Sequence, residues 1–307
     1  MDDLHNKNIL VTGGTGFVGR ALCDALAASG AHVIVLSRRA RSPQGAIRTI
    51  SRLEDVGADI DIIINLAGEP IAQRWTKAAK DKIRNSRIDT TAAVVQYMSA
   101  CRKKPDLFIS GSAIGYYGTD EDTLFEESTP PGDGGPFSRQ LCADWESEAT
   151  KAEALGVRTV FLRIGAVMER DGGMLAKLLM PFRLGLGGRV GSGEQSLSWI
   201  DRDDLIRLIL HIIRTPALRG PVNATSPHPV SNDEFSHALA DALHRPCLFP
   251  VPGFVLRLIF GDMPGEIMLA GQRVFPRKAI ESGFTFLYPR IEASLEKALE
   301  APSATMR

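Results

Sequence analysis

Short runs of β-branched and aliphatic residues alternate with longer segments that carry apolar residues at helical spacing along the first two thirds of the chain. The apolar runs predict buried strands at 8–12, 32–36, 61–66, 107–110 and 158–163. The patterns between them predict helices at 20–29, 76–101 and 137–155. Because strands and helices alternate at this rhythm, the sequence predicts βαβ units and a parallel sheet covered by helices on both faces.

The turn between the first strand and the first helix is rich in glycine and has Gly-x-x-Gly-x-x-Gly spacing. Gly13 permits a tight turn, Gly16 lets the backbone approach a pyrophosphate, and Gly19 allows the helix to pack closely on the strand. The N–H groups at the helix start would also bind an anion. We therefore predict a dinucleotide site here, with a purely structural turn as the alternative. Its predicted residues are Gly13, Thr15, Gly16, Phe17, Val18 and Gly19.

The end of the second predicted strand bears on which dinucleotide binds. NAD sites usually place an acidic residue there to accept the ribose 2′-hydroxyl. This chain has Ser37, Arg38 and Arg39 instead, and guanidinium groups suit a 2′-phosphate. The sequence thus predicts that NADP(H) is preferred over NAD(H) and that these three residues bind it. The alternative is a solvated, basic loop.

The strand and helix rhythm breaks at Gly165, and the chain becomes richer in proline and aromatic residues after Pro221. The predicted fold class is α/β, a Rossmann-type doubly wound parallel sheet with a small C-terminal α+β substrate lobe. We place an NADP(H)-binding domain at 1–224, within which 165–198 contributes to the substrate cleft. A small C-terminal domain is predicted at 225–307.

Charge and cysteine content indicate which kinds of partner the protein binds and in which cellular compartment it works. Lys and Arg total 36, as do Asp and Glu, so the net charge gives no reason to expect nucleic acid or an anionic membrane. The four cysteines form no Cys-x-x-Cys pair, and no His spacing suggests a metal site. The start carries no secretory signal, which favours the cytoplasm. We expect a small-molecule substrate, no nucleic-acid or membrane partner, and a monomer or homodimer.

Several motifs resemble the extended short-chain dehydrogenase/reductases. The glycine turn, Ala67-Gly68 after the third predicted strand, and the segment 110–118 after the fourth carry the general resemblance. More specific motifs, spread over nearly the whole chain, are similar to an atypical branch usually labelled "epimerase family protein", which has its own C-terminal domain. They lie at 68–71, 74–76, 86–91, 144–146, 163–165, 171–174, 271–276 and 283–286.

The resemblance adds cofactor-binding positions at the end of the third predicted strand and in the helix after it. Arg87 stands where extended members often carry an asparagine. The added positions are Leu66, Ala67, Gly68, Glu69 and Arg87.

The chain departs from the superfamily at the residues that carry its chemistry. Members use a serine and a Tyr-x-x-x-Lys pair, in which the lysine lowers the pKa of the tyrosine that transfers the proton. Ser112 matches the serine, but no Tyr-x-x-x-Lys occurs in the chain. Aligning the helix on Glu146 places Ser138 at the tyrosine position and Cys142 at the lysine position.

Three alternatives remain open at this point. Tyr116 or Tyr117 donates the proton while Ser112 polarises a substrate oxygen; Arg87 or Arg139 supplies the missing positive charge; or the chain binds the cofactor without catalysis. The predicted catalytic residues are Ser112, Tyr116 and Tyr117, with no metal. The predicted function is an NADP(H)-binding oxidoreductase or epimerase-like protein that acts on a small carbonyl or sugar-like substrate. A non-catalytic NADPH sensor or scaffold is the alternative.

Overall fold

The computed structural model describes residues 4–38, 45–131 and 135–300, apart from the side chain of Glu121. In chain order the strands are β1 (Asn8–Thr12), β2 (His32–Leu36), β3 (Ile47–Ile50), β4 (Ile62–Asn65), β5 (Leu107–Ala113), β6 (Asp120–Phe125), β7 (Arg158–Ile164), β8 (Ala166–Met168), β9 (Ser196–Leu197), β10 (Trp199–Asp201), β11 (Gly220–Ala224), β12 (Val230–Ser231) and β13 (Gln272–Val274).

The helices are α1 (Phe17–Ala28), α2 (Lys77–Ala100), α3 (Phe137–Thr150), α4 (Gly173–Arg183), α5 (Arg202–Arg214), α6 (Asn232–Ala242), α7 (Gly253–Phe260), α8 (Met263–Ile267), α9 (Arg277–Glu281) and α10 (Ile291–Leu299). Short 3₁₀ turns lie at Leu53–Asp55, Ile114–Tyr117 and Glu153–Leu155.

Seven strands of the described chain form one parallel sheet in the order β11-β7-β5-β4-β1-β2-β3. Apolar side chains of α1 and α5 cover one face of the sheet, and those of α2 and α3 cover the other. The predicted fold class, a Rossmann-type doubly wound sheet, is confirmed. Strand order reverses between β1 and β4, and in such sheets ligands bind at the carboxyl ends of the strands beside this reversal.

A second apolar core lies beyond the carboxyl ends of the sheet and is built from distant parts of the chain. Trp199, Phe182 and Leu175 pack there with Phe235 of α6 and Leu295 of α10. Strand β13 returns to pair with β6. The segment after β7 and the C-terminal part therefore share one core, whereas the predicted domain boundary at residue 224 stays a prediction.

Within the described ranges, no helix combines the length and the apolar character needed to cross a bilayer. The same residues contain no group of three or more His, Cys, Asp and Glu side chains placed to hold a metal ion. All four cysteines are free thiols.

Candidate functional site

The glycine turn follows β1 and is packed too tightly for side chains. Gly13 has φ +71°, and a Cβ there would lie 2.6 Å from the carbonyl oxygen of Leu66. A Cβ at Gly14 would lie 2.8 Å from Cγ1 of Val35, and one at Gly19 would lie 2.2 Å from the carbonyl oxygen of Gly13. These positions need glycine so that β1, β4 and α1 can meet.

The start of α1 is open toward an anion. Gly16 precedes the helix with extended backbone, and no described side chain caps its first N–H groups. Thr15 and Val18 are half-buried beside it. The ring of Phe17 packs against Gly172 before α4, where a Cβ would come within 2.2 Å of the ring.

The predicted 2′-phosphate residues lie at the end of β2. The Ser37 amide donates to the carbonyl of Ile50 at 2.9 Å, and Arg38 is exposed directly after the strand. Arg39 lies outside the described residues.

A buried polar chain that the sequence did not predict lies below the glycine turn. The Thr12 hydroxyl donates to the side-chain oxygen of Asn65, whose amide nitrogen donates to Thr91 Oγ1 at 2.8 Å. The Trp145 indole also donates to Thr91 Oγ1, at 2.9 Å. The Ala67 amide donates to Thr12 at 3.2 Å. These bonds fix the carboxyl ends of β1 and β4 relative to α2 and α3.

Arg87 reaches from α2 to the end of β4, beside the other predicted cofactor residues there. Its Nη1 donates to the carbonyls of Glu69 and Ile83, both at 3.1 Å. A Cβ at Gly68 would lie 2.9 Å from the guanidinium carbon. The guanidinium also lies 5.3 Å from the Trp145 ring. Burial lowers the pKa of Arg87, and no described carboxylate forms an ion pair with it.

Ser112 lies at the end of β5, and its hydroxyl is hydrogen-bonded to a buried carboxylate. It is 3% exposed, and its hydroxyl donates to Glu146 Oε1 at 2.7 Å. Arg163 of β7 donates to both oxygens of Glu146, from Nε and from Nη2, at 2.8 Å each. The proton of Ser112 therefore points to a buried ion pair in this structure.

The two tyrosines that follow Ser112 differ in their surroundings. Tyr117 is 5% exposed; its hydroxyl donates to Asn223 at 2.8 Å and accepts from Arg163 at 2.9 Å. Burial raises the pKa of Tyr117 to about 12. Tyr116 is half-buried, and the Arg163 guanidinium stacks 3.4 Å from its ring centroid. Burial also raises the pKa of Tyr116.

The two positions that replace tyrosine and lysine lie where the alignment puts them, on the face of α3 that packs against the turn after β5. A Cβ at Gly115 would lie 3.4 Å from Cβ of Ser138 and 3.6 Å from the sulfur of Cys142. Burial raises the pKa of the Cys142 thiol to about 12. The carboxylate of Glu266 accepts from the Ser138 amide at 2.8 Å. Neither side chain supplies an acid or a base near neutral pH.

The structure thus brings Ser112, Tyr116 and Tyr117 together, and it places Arg87 with Gly68 and Glu69. The sequence prediction missed the Glu146–Arg163 pair and Asn223. A signal for the pair was present, because Arg163 lies near the end of an apolar strand and Glu146 lies beside Trp145 in an amphipathic helix. Opposite charges in two buried elements indicate an ion pair.

Known proteins resemble this chain along almost its whole length. Residues 9–224 match the NAD dependent epimerase/dehydratase family, and residues 251–298 match a domain of unknown function, DUF1731. The epimerase family protein YfhF of Bacillus subtilis is 38% identical over 299 residues, which cover 95% of this chain and 98% of YfhF. A chloroplastic SDR39U1 homolog of Arabidopsis thaliana is 36% identical, over 95% of this chain and 86% of its own.

Solved structures agree with the sequence matches. The crystal structure of human epimerase family protein SDR39U1 with NADPH has a TM-score of 0.85 and 31% identity, and the match covers 95% of this chain and 98% of that one. MoeE5 in complex with UDP-glucuronic acid and NAD has a TM-score of 0.75 at 21% identity, covering 94% and 96% of the two chains, which shows a shared fold alone. The predicted resemblance is confirmed: the chain belongs to the NAD-dependent epimerase/dehydratase family, in its epimerase family protein branch.

Proposed function

We propose that the chain is an NADP(H)-dependent oxidoreductase of the extended short-chain type that acts on a small carbonyl or sugar-like substrate. The observation that carries the proposal is the uncapped start of α1 behind the glycine turn, together with Arg38 at the end of β2. An anion fits the first, and a 2′-phosphate fits the second. The similar human protein was solved with NADPH, which supports the same cofactor here.

The residues around the turn and the end of β4 fit a dinucleotide. Cβ atoms at Gly13, Gly14 and Gly19 would clash with protein atoms around the turn, so glycine there keeps the turn tight enough to bring the start of α1 to a pyrophosphate. NADPH would supply the hydride for a substrate carbonyl. The chain would bind it through the glycine turn and Arg38 and orient its nicotinamide end near Glu69 and Ser112.

Tyr116 is the proposed proton donor. The hydroxyl of Tyr117 is held on both sides by buried partners, which leaves Tyr116 as the tyrosine placed to meet a substrate. Its raised pKa keeps it protonated at neutral pH, as a general acid requires. Arg163, stacked on the ring, would stabilise the phenolate that remains after proton transfer.

Ser112 would orient the reacting oxygen. The hydroxyl proton of Ser112 is directed to Glu146. The Ser112 oxygen can therefore accept a hydrogen bond, and the reduced, alcohol form of the substrate would donate one to it. The sequence had suggested that Ser112 polarises a substrate oxygen, which would require its hydroxyl to turn away from Glu146.

Arg87 is the proposed replacement for the missing lysine. Its guanidinium lies between the end of β4 and the α3 face that carries Cys142, where a lysine at position 142 would bring its charge. Main-chain carbonyls hold Nη1, and the remaining donors can bind ribose hydroxyls.

Cofactor affinity tests the binding half of the proposal. The double variant Arg38→Ala and Arg39→Ala should weaken NADPH binding at least about tenfold and leave NADH binding nearly unchanged. Arg102→Ala, an exposed cation before β5, is the matched control. Equal losses for the two cofactors, measured by fluorescence titration, would contradict the preference.

A non-catalytic NADPH sensor or scaffold is the second candidate, and the inert pair Ser138 and Cys142 favours it. Turnover distinguishes the two. NADPH oxidation is followed by absorbance across a panel of aldehydes, ketones and keto-sugars, with Tyr116→Phe and Ser112→Ala as controls. Oxidation that needs a substrate and Tyr116 supports the enzyme, whereas no substrate-dependent oxidation supports the sensor.

A further inference from the structure

A group of exposed apolar side chains lies in the C-terminal half of the chain. We call it the apolar face and define it by the exposed side chains of segments 177–189 and 244–259. Its most exposed members are each between 65% and 75% exposed. They are Met180, Leu184, Leu248, Phe254 and Leu258. Concentrations of exposed apolar side chains mark interaction sites in globular domains.

Hydrogen bonds to main-chain carbonyls join the two segments, so they lie side by side. Arg245 Nε donates to the carbonyl of Arg183 at 2.9 Å. The Phe249 amide donates to the carbonyl of Gly187 at 3.2 Å, and the Val251 amide to that of Arg189 at 2.8 Å. The exposed apolar side chains of both segments are therefore carried by adjacent stretches of chain.

Helix α7 presents its own apolar side outward. Phe254 and Leu258 are four residues apart, which places them on the same side of the helix, and Ile259 is 52% exposed beside them. Leu256 faces the interior.

The charges within the apolar face are all positive. The two segments contain no aspartate or glutamate in a chain whose charges otherwise balance. Five cations lie in them: Lys177, Arg183, Arg189, Arg245 and Arg257.

Of the acidic residues next to these segments, Glu194 and Asp241 are exposed and form no ion pair within the described chain. Three others are engaged. Asp262 pairs with Lys80 at 3.3 Å, Glu266 caps α3, and Asp233 lies 3.8 Å from Arg189. Among the described residues, Arg189 is thus the one of the five cations that pairs with a neighbouring carboxylate, and the other four leave the apolar face with a cationic rim.

Exposed apolar side chains together with an excess of cations distinguish a second copy of the chain from a lipid surface as the binding partner. A second copy docked about a two-fold axis would set the same cations against each other, and the repulsion opposes that contact. An anionic lipid surface accepts apolar side chains below its headgroups and attracts lysine and arginine at that level. The charge pattern fits the lipid surface.

We propose that the apolar face docks the protein on an anionic membrane surface, without spanning it. The docked side lies next to the loop after β4, because Arg74 donates to the carbonyl of Leu258 at 3.5 Å and the Trp75 amide donates to that of Phe260 at 3.1 Å. The same loop carries Glu69 of the candidate cleft. The proposal differs from the expectation drawn from zero net charge, which averages over the whole surface.

Vesicle sedimentation of the full chain tests the proposal. The protein is mixed with vesicles of phosphatidylglycerol and phosphatidylcholine in equal parts, or of phosphatidylcholine alone. We expect binding to the mixed vesicles, little binding to the neutral ones, and weaker binding at high salt. Arg245→Gln and Arg257→Gln should each lower the partition coefficient roughly fivefold. Phe254→Ser with Leu258→Ser should lower it at least about tenfold.

Matched controls lie away from the apolar face. Arg102→Gln removes an exposed cation, and Leu287→Ser removes a side chain that is 56% exposed; neither should change vesicle binding. Circular dichroism and the thermal midpoint verify that each variant folds. The proposal is overturned if the wild-type chain does not bind the mixed vesicles, or if controls and test variants lose binding alike. It is also overturned if sedimentation velocity shows a dimer that Phe254→Ser with Leu258→Ser dissociates. None of these measurements depends on the proposed enzymatic activity.

Discussion

Arg163 organises the interior below the candidate site. Its guanidinium donates to both oxygens of Glu146, donates to the hydroxyl of Tyr117, and stacks on the ring of Tyr116. Burial by itself lowers the pKa of Arg163, but the hydrogen bonds and charge of Glu146 outweigh burial and raise it. Arg163 is therefore a permanent cation beneath both tyrosines.

Replacing each tyrosine by phenylalanine distinguishes the proposed proton donor, Tyr116, from Tyr117, whose hydroxyl has a structural role. Tyr116→Phe should lower kcat about 100-fold or more, the usual contribution of a general acid, and leave NADPH affinity unchanged. Tyr117→Phe removes a hydroxyl between two buried partners and should cost about 1–3 kcal/mol of stability, with a smaller loss of turnover. Steady-state kinetics on a substrate from the carbonyl panel and urea unfolding measure the two effects.

The pH profile gives a second test of Tyr116. Because burial raises its pKa above the ordinary value of 10.0, the phenol stays protonated across the neutral range. Turnover should therefore show no loss from this group until pH exceeds 10. A full-rate Tyr116→Phe variant would remove Tyr116 from the mechanism.

Substitution of Arg87 distinguishes a ligand-binding cation from a structural one. Arg87→Met should weaken NADPH binding about tenfold. Arg87→Lys should restore most of the affinity at low pH and lose it as pH rises, because burial lowers the pKa of a lysine at the same place. The wild-type arginine should show no such pH dependence across the neutral range.

Arg84→Met is the control for Arg87, since Arg84 lies one turn earlier in α2 and pairs with Asp144 at 2.9 Å. Fluorescence titration over pH measures all three variants. An unchanged NADPH affinity in Arg87→Met, with a lowered thermal midpoint, would assign Arg87 a purely structural role.

Among the elements, β6, β11 and α9 are joined by one buried carboxylate. Glu127, after β6, accepts from the Asn223 amide at 3.0 Å and from the Lys278 amide at 3.2 Å, both at Oε1. Its Oε2 is buried without a described partner. Burial raises the pKa of Glu127, so the folded state holds this proton to higher pH than the unfolded chain does.

The raised pKa sets the sign of a pH effect on stability. Glu127 contributes stability that is fully present below the unfolded pKa and is lost as pH rises through the folded pKa. Glu127→Gln removes this titration, so the stability of the variant relative to wild type should rise as pH increases from below the unfolded carboxyl pKa through the raised folded pKa. Urea unfolding across this acid-to-neutral range measures the difference, and a difference independent of pH would contradict the assignment.

Elements with regular apolar runs were predictable from the sequence, and short polar ones were not. Strands β1 and β2 were predicted with the bounds that the structure has, because both are β-branched runs ended by turns. Strands β6 and β11 were missed. The first has the acidic sequence DEDTLF, and the second contains Pro221, which an edge strand tolerates.

For the helix bounds and the candidate site as well, local sequence patterns were predictable and contacts between distant elements were not. Helix α1 begins at Phe17, three residues before the predicted start at 20. Gly16 has extended backbone and ends the turn, so Gly19, the last glycine of the motif, already lies within the helix. The sequence indicated Ser112, both tyrosines and the glycine turn from local motifs. It did not indicate the partners of these residues, since Glu146, Arg163 and Asn223 come from three distant elements that only the folded chain brings together.

For the whole molecule, Lys297 of α10 ties the last helix to the segment after β7. Its ammonium lies 3.0 Å from Glu169, 3.0 Å from Asp201 and 2.9 Å from Asp203. Asp201 is fully buried and also accepts from Ser294 at 2.7 Å. Removing the cation would leave the buried Asp201 without its counter-charge, whereas Glu169 keeps Arg202 at 3.2 Å.

Lys297→Met should therefore destabilise the protein by about 2–3 kcal/mol. Lys82→Met, an exposed lysine in α2, is the control and should change stability little. Urea unfolding measures both variants, and equal effects would show that the ammonium of Lys297 makes no special contribution.

The Glu266 carboxylate that caps α3 has a consequence for how the protein is made. It accepts the amides of Phe137 and Ser138, which precede it by 129 and 128 residues. At ribosomal rates, about 5–20 residues per second, a nascent chain exposes the start of α3 roughly ten seconds before this cap exists. Residues far along the chain from the glycine turn thus complete the start of α3, and a newly synthesised chain gains this cap long after β5 has been made.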